Sequence, residues 1–266
     1  MRKIREIKMN TKPKIGFIGV DRLNILKDLN FAADNGFEYY EVASRKIFNL
    51  KPEIIKKAKW ISERYNISLN FHIPYFLEIS SYIPGISEIV LKFAKKEIVL
   101  ANKCGAKIIT IHSGYKEAVL DENFKVLIRN LREIIRLGRK HGVEIGLENS
   151  TFKGGGLCAN PEEMLKAFNS LKDLKMVFDI GHANTTGLDV IKYFKKVKDH
   201  IINIHIHDNN GEEDQHLLIG EGNINFKKFL KECRKSNYYG PFILEVFPYE
   251  NVLKSREIFL NIWNQI

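Results

Sequence analysis

The sequence predicts an α/β fold, a single closed (β/α)8 barrel, and three observations lead to this prediction. Short apolar runs alternate with segments of helical spacing along all 266 residues, which is typical of proteins with a parallel sheet. Eight runs and eight helical segments occur, the number that closes such a barrel. Carboxylates and imidazoles follow the runs at intervals from 26 residues (Asp179 to His205) to 40 residues (His72 to His112), which fits one strand, one helix and two loops.

The predicted strands are runs of four to seven residues, rich in β-branched and aromatic side chains. Their order along the chain, always with a helical segment in between, indicates parallel pairing. The eight predicted strands are Lys14–Val20, Tyr39–Val42, Ser68–His72, Lys107–His112, Glu144–Glu148, Lys175–Asp179, Ile201–His205 and Phe242–Val246.

The predicted helices show apolar residues at helical spacing and carry boundary signals. Gly36 and Gly142 follow two of them, where glycine suits a left-handed C-cap. Asn160 before Pro161 opens the fifth helix as an N-cap with proline in the first turn. The predicted helices are Leu23–Asn35, Pro52–Tyr65, Glu88–Lys103, Glu122–His141, the segment that opens at Asn160, Asp189–Lys198, Phe226–Ser236 and Asn251–Asn264.

An open, doubly wound sheet is the alternative architecture. It would not bring seven strand ends around one point, whereas a barrel gathers its active site at the carboxyl ends of its strands. No linker or low-complexity segment divides the chain. We therefore expect one TIM-barrel domain over residues 1–266, with residues 1–13 as an N-terminal extension.

Composition limits the partners and the compartment. No apolar run reaches the roughly 18 residues that a membrane span needs, and the basic N-terminal segment lacks the apolar stretch of a signal peptide. The cysteines Cys104, Cys158 and Cys233 form no CxxC pair, which argues against a disulfide framework and a thiolate zinc site. We expect a cytoplasmic protein with no membrane partner and no obligate protein partner. Its net charge of +10 attracts phosphates, although lysines on solvated helix faces explain most of this surplus.

Nine metal-ligand side chains stand at or just past the ends of the predicted strands. One histidine at such a place, for example His72, is usually a hydrogen-bonded core residue. Nine separate explanations of that kind are less economical than one shared metal site, because polar groups at buried strand ends are costly without compensation. Imidazole and carboxylate without thiolate suit Zn²⁺ or Mn²⁺. The nine residues are His72, His112, Glu148, Asp179, His182, His205, Asp214, His216 and Glu245.

The number of candidate ligands bears on the reaction. One catalytic zinc needs about three protein ligands and a water, so nine candidates suit two or three ions with a bridging carboxylate such as Glu148. Ions a few ångströms apart typically stabilise the attacking and leaving oxygens of a phosphoryl transfer. Glu41, at the end of the second predicted strand, either orients a ligand histidine or pairs with a lysine. His207 is expected to pack near the site without binding metal.

The motifs around these residues resemble those of AP endonuclease family 2, a superfamily that holds endonuclease IV and xylose-isomerase-like sugar isomerases and epimerases. The resemblance extends from about residue 14 to residue 247, and its most specific stretch is His205–Ile224. The motifs are His72-Ile73-Pro74-Tyr75, Ile111-His112-Ser113-Gly114, Leu147-Glu148-Asn149, Asp179-Ile180-Gly181-His182-Ala183, His205-Ile206-His207-Asp208, Asp214-Gln215-His216 with Gly220-Glu221-Gly222-Asn223-Ile224, and Ile243-Leu244-Glu245.

The resemblance to endonuclease IV implies up to three Zn²⁺ ions and metal-assisted cleavage of DNA on the 5′ side of an abasic sugar. The implied ligand groups are His72, His112 and Glu148 for the first ion; Glu148, Asp179, His205 and Glu245 for the second; and His182, Asp214 and His216 for the third. Damaged DNA is then the expected partner.

Three segments depart from the endonuclease IV pattern, and the third of them favours an isomerase or epimerase as the alternative. Ile15–Val20 lacks a histidine, Ser150–Gly156 differs in sequence, and Asp179–Gly187 is closer to the sugar-isomerase-like members. In that case the second group would hold a single Mn²⁺-like ion, and Glu148 and Glu245 would move a proton between adjacent carbons of a sugar or sugar phosphate. A non-enzymatic metal-bound barrel is a third possibility. We prefer the phosphodiesterase, with Glu148 and Glu245 as the catalytic residues.

Overall fold

A computed structural model describes residues 12–20, 24–43, 50–74 and 77–266. Residues 1–11 of the predicted extension and Tyr75 of the His-Ile-Pro-Tyr motif lie outside this part of the chain. The statements below concern the described residues.

Eight parallel strands form a closed barrel in chain order, so the predicted fold class is confirmed. The last strand closes the barrel against the first, with Ile243 opposite Gly16. Both of these strands are shorter than predicted, and Glu245 lies just past the end of the last one. The strands are β1 Ile15–Ile18, β2 Tyr39–Ala43, β3 Ser68–His72, β4 Ile108–His112, β5 Glu144–Glu148, β6 Lys175–Asp179, β7 Ile201–Ile206 and β8 Phe242–Leu244.

Helices surround the barrel, and their termini follow the predicted boundary signals. Asn160 caps α5, its side chain accepting a hydrogen bond from the Glu163 N–H with Pro161 in the first turn. Gly36 and Gly142, which follow the first and fourth helices, both lie in the left-handed region with φ 66°. The helices are α1 Ile25–Asp34, α2 Pro52–Tyr65, α3 Ile86–Cys104, α4 Leu120–Lys140, α5 Pro161–Ser170, α6 Ile180–Asn184, α7 Val190–Val197, α8 Phe226–Lys235 and α9 Tyr249–Asn264.

Helix α6 is an addition to the eight predicted helices. It is a five-residue helix directly after β6, and the Asp179 carboxylate caps it by accepting a hydrogen bond from the His182 N–H at 2.6 Å. The strand end and the turn that follows it are therefore joined by one side chain. This turn places His182 above the barrel beside Asp179.

Aromatic packing between barrel and helices holds β6 in place. Phe178 points outward and contacts Tyr193, Phe194 and Phe229, with ring centroids 5.4, 5.8 and 6.0 Å away. All four rings are fully buried. Because successive strand residues point to opposite faces, the same packing aims Asp179 into the barrel. No helix in the described part of the chain is long and apolar enough to cross a membrane.

Candidate metal centre

The first group of predicted ligands comes from three adjacent strands. His112 and Glu148 are register partners on β4 and β5. Glu148 Oε2 lies 3.2 Å from the Nε2 atoms of both His72 and His112. Nδ1 of His72 is 3.1 Å from the carbonyl oxygen of Ile73, so Nδ1 donates to that carbonyl and Nε2 faces Glu148. The structure thus brings these three side chains together around one oxygen.

The second group shares Glu148 with the first. Its other oxygen, Oε1, lies 2.8 Å from Nδ1 of His205. The same nitrogen is 3.4 Å from Glu245 Oε2 and 3.8 Å from Asp179 Oδ2. All four side chains are buried, and each offers a ligand atom within 4.8 Å of the others. The two oxygens of Glu148 therefore face two different groups, as expected of a bridging ligand.

The third group lies at the mouth of the barrel. Asp214 Oδ2 is 3.2 Å from Nε2 of His182 and 3.1 Å from Nε2 of His216. Nδ1 of His182 donates to the Asn149 carbonyl at 2.8 Å, and Nδ1 of His216 donates to the Glu245 carbonyl at 2.9 Å. His216 has φ 49°, an uncommon backbone conformation for a non-glycine residue. Both Nε2 atoms are therefore oriented toward Asp214.

Asp208 organises the long loop that carries the third group, a role that sequence reasoning missed. Its carboxylate is buried and accepts hydrogen bonds from the backbone N–H groups of Gly220 at 2.9 Å, Gly222 at 3.0 Å and Ile224 at 3.2 Å. Its own backbone pairs with Leu217. These bonds close the loop that presents Asp214. The His-x-His-Asp motif contained the residue but did not reveal its partners.

Glu41 lies beneath the second group in the barrel interior. Its Oε1 is 3.0 Å from Nε2 of His205 and accepts a hydrogen bond from Thr110 Oγ1 at 2.8 Å. Its Oε2 accepts from Asn203 Nδ2 at 2.8 Å. All of these side chains are buried. Of the two expectations for Glu41, the geometry agrees with orientation of a ligand histidine, because Nε2 is held and Nδ1 faces the carboxylates.

The charges of the site oppose the effect of burial. Burial alone would lower the pKa of His205, but the carboxylates of Glu41 and Glu148 outweigh it and raise that pKa well above its usual value. Burial would also lower the pKa of His216. The hydrogen bond to Asp214 and the charge of Glu245 outweigh it and raise that pKa to about 9. Burial would raise the pKa of Glu148, and the surrounding histidines hold it well below its usual range. Protons on imidazoles thus neutralise the carboxylates.

A cation fits this donor set. Glu148 Oε2 is buried and has no hydrogen-bond partner among the described residues, although two imidazole nitrogens lie 3.2 Å from it. Burial lowers the pKa of His112 to about 4, so this imidazole is neutral at pH 7, as a cation requires. A cavity of about 280 Å³ opens above the groups and reaches Tyr115 and Thr151. The site has room for a small ligand.

The structure brings all nine predicted side chains together and adds His207. This histidine is buried, and its Nε2 lies 3.1 Å from Asp179 Oδ1. Asn149 also belongs to the site, because its side chain binds both backbone groups of Asp179 at 2.9 Å. The contacts of Asn149 and His207 with Asp179 could not be assigned from the sequence, because they depend on the register of the strands.

Comparisons with known proteins give relatives with two kinds of name. A solved structure described as a D-tagatose 3-epimerase-like protein superposes with a TM-score of 0.86 and 29% identity, covering 95% of this chain and 98% of that one. An uncharacterized protein of Methanocaldococcus jannaschii is 31% identical over 239 residues, 85% of this chain and 80% of its own length. A probable endonuclease 4 of Lachnoclostridium phytofermentans is 26% identical over 205 residues, 70% of this chain and 67% of its own.

The family model of the xylose isomerase-like TIM barrels matches residues 29–261. This range contains β2 to β8 and every residue of the three groups. The chain belongs to AP endonuclease family 2, the family of xylose isomerase-like TIM barrels.

Proposed function

We propose that this protein is a metal-dependent phosphodiesterase that cleaves DNA on the 5′ side of abasic sites and binds up to three Zn²⁺ ions. The observation that carries the proposal is the third group, His182, Asp214 and His216, in which a carboxylate oxygen lies within 3.2 Å of two oriented imidazole nitrogens. A single-ion isomerase needs only the second group. A third ligand group next to two groups that share Glu148 suits a reaction that must stabilise charge on several oxygens of one phosphate.

The carboxylates of the site would have different roles in binding the ions. Glu148 would bridge the first two ions, because its oxygens face separate groups. Glu245 and Asp179 would complete the second group, and Asp214 the third. Bound zinc would activate water and stabilise the leaving 3′ oxygen. Histidines hold the pKa of Glu148 and of Glu245 below their usual values, so both carboxylates are ionised at neutral pH and neither can protonate the leaving oxygen.

A sugar or sugar-phosphate isomerase or epimerase is the second candidate. The observation that favours it is the similarity to the D-tagatose 3-epimerase-like structure, at 29% identity over 95% of this chain. In that reaction one Mn²⁺-like ion would bind to Glu148, Asp179, His205 and Glu245. Glu148 and Glu245 would exchange the proton between adjacent carbons. The third group would then contact substrate and would not bind an ion.

Metal content and one substitution separate the two candidates. Elemental analysis of protein purified without added metal or chelator should give close to three zinc ions per chain if the phosphodiesterase proposal is right. Asp214→Asn should then lower cleavage of an abasic-site oligonucleotide by about 100-fold, a magnitude typical of a lost metal-site partner. Glu213→Gln, in the same loop and exposed, is the matched control and should change little.

A different set of results would contradict the phosphodiesterase proposal. One ion per chain, no cleavage of the oligonucleotide, and turnover in a screen of ketoses and ketose phosphates would replace the phosphodiesterase with the isomerase. In that case Asp214→Asn should leave the ion bound.

A further inference from the structure

His207 occupies the space between the second and third groups. Its side chain is fully buried, with Nε2 3.1 Å from Asp179 Oδ1 and 3.5 Å from Asp214 Oδ1. Its ring stacks on His216 at a centroid distance of 4.2 Å. The opposite contact is with Gly181, where a Cβ atom would overlap the His207 ring. Two neighbours therefore fix the ring, and its Nε2 faces two carboxylates.

Three of the histidines proposed as ligands share one hydrogen-bond pattern, in which Nδ1 donates to a backbone carbonyl oxygen. In His72, His182 and His216, Nδ1 lies 2.8 to 3.1 Å from a backbone carbonyl oxygen, which leaves the Nε2 lone pair free to bind a cation. Nδ1 of His207 is buried and has no hydrogen-bond partner in the described ranges of the chain. If Nε2 of His207 bound an ion, Nδ1 would carry the proton and bury an N–H group without an acceptor, which is costly.

The opposite tautomer satisfies the site. With the proton on Nε2, His207 donates to Asp179 Oδ1, which also accepts from the His182 N–H at 2.6 Å. The buried Nδ1 is then an acceptor without a partner, and the single N–H group of the ring has an acceptor in Asp179. Asp179 Oδ1 takes the two shorter contacts, whereas Oδ2 lies 3.3 Å from the same His207 Nε2 and 3.8 Å from Nδ1 of His205. Oδ1 is therefore the more tightly held oxygen of Asp179, and Oδ2 is the one that faces the second group.

We propose that His207 is a positioning residue that donates its Nε2–H to Asp179 Oδ1, orients Asp179 Oδ2 toward the second ligand group, and does not itself bind metal. Gly181 supports this position of His207, because a Cβ atom at residue 181 would overlap the imidazole ring. The inference rests on the metal binding that the proposed function requires. It is independent of the reaction, since Asp179 belongs to the ligand group of both candidate enzymes.

Two substitutions of similar size test the proposal on the full chain. His207→Gln keeps an N–H donor near the position of Nε2, and His207→Met has the same length without a donor. The readouts are zinc stoichiometry by elemental analysis and zinc affinity by competition with a chelator. A third readout is the ring ¹⁵N spectrum of His207 in zinc-loaded wild type. We expect unchanged stoichiometry and affinity within about threefold for His207→Gln, and affinity at the weakened site about 10–100-fold lower for His207→Met.

The ¹⁵N spectrum should show a protonated, uncoordinated Nε2 in the loaded protein. Loss of one zinc ion in His207→Gln, or a zinc-coordinated Nε2, would make His207 a ligand and overturn the proposal. Equal affinity in wild type and a folded His207→Met would overturn it as well. If His207→Met does not fold, the glutamine variant and the spectrum still decide. Because no activity is measured, failure of the phosphodiesterase proposal leaves these outcomes distinct.

Discussion

Zinc binding to the third group should release protons, and its affinity should therefore rise steeply with pH. In the metal-free protein the pKa of His216 is raised to about 9 despite burial, because Asp214 and Glu245 stabilise the charged form. The pKa of His182 is raised well above its usual value by Asp179 and Asp214, which also outweigh burial. A cation requires neutral imidazoles. Both protons must leave when the ion binds.

The magnitude follows from the two histidines. At pH 7, two units below a pKa of about 9, His216 is protonated by about 100 to one. With His182 also charged, binding releases about two protons, and zinc affinity at this group rises about 100-fold per pH unit. The contribution of His216 to this rise should continue from acidic pH up to about pH 9 and then flatten. A histidine at its usual value of 6.5 would give a flat response above about pH 7.5.

Two measurements check this. Competition with a chelator of known pH dependence gives the slope, and calorimetry in buffers of different ionisation enthalpy counts the protons. His216→Gln serves as the control, since removal of one titrating imidazole should reduce the slope to about tenfold per pH unit. Affinity that does not change between about pH 7 and 8.5, with heats independent of the buffer, would show that the imidazoles are neutral before zinc binds and would refute the reasoning.

Further expectations concern stability and the ligand framework. Metal-free protein should lose stability as pH rises from 6.5 through about 9, because the raised pKa of His216 stabilises the fold only while the imidazole is charged; thermal unfolding that is flat over this range would contradict this. Glu148→Gln should abolish turnover and remove at least one ion, so retained activity would exclude Glu148 as the bridge. Glu41→Gln should weaken zinc binding by about 10–100-fold without loss of fold, which chelator competition and circular dichroism can check. Phe178→Ala should reduce the free energy of unfolding by about 3–5 kcal/mol, whereas substitution of the exposed Trp60 by alanine should change it by about 0.5 kcal/mol or less in denaturant titrations.

The barrel could be predicted because its signals are local and repeated. Apolar runs of strand length and boundary residues such as Asn160 act within a few positions of the elements they define. The one-turn helix α6 left no such signal. It is too short for periodicity, and its formation depends on the Asp179 side chain that caps it. Strand β7 also extends to Ile206, one residue further than predicted.

The ligand types could be predicted and most of their supporting residues could not. The nine candidate ligands stand in a pattern along the sequence, but Asp208 acts across 16 residues to reach the Ile224 N–H. The contact of Glu41 with His205 spans 164 residues and depends on closure of the barrel. The second ligand group serves either candidate chemistry, so the first and third groups distinguish the two candidates.

The spread of the ligands along the chain has a consequence for how the protein matures. His72 and Glu245 are 173 residues apart (245 − 72 = 173), and they come together only when the strands between them have paired around the barrel. Before that stage no segment of the chain holds the full set, so the proposed ions could reach all their ligands only after the barrel has closed. On the proposed function, a closed, metal-free barrel would therefore precede the fully loaded protein. In that metal-free barrel, protons on His182, His205 and His216 would take the place of the ions in neutralising the buried carboxylates.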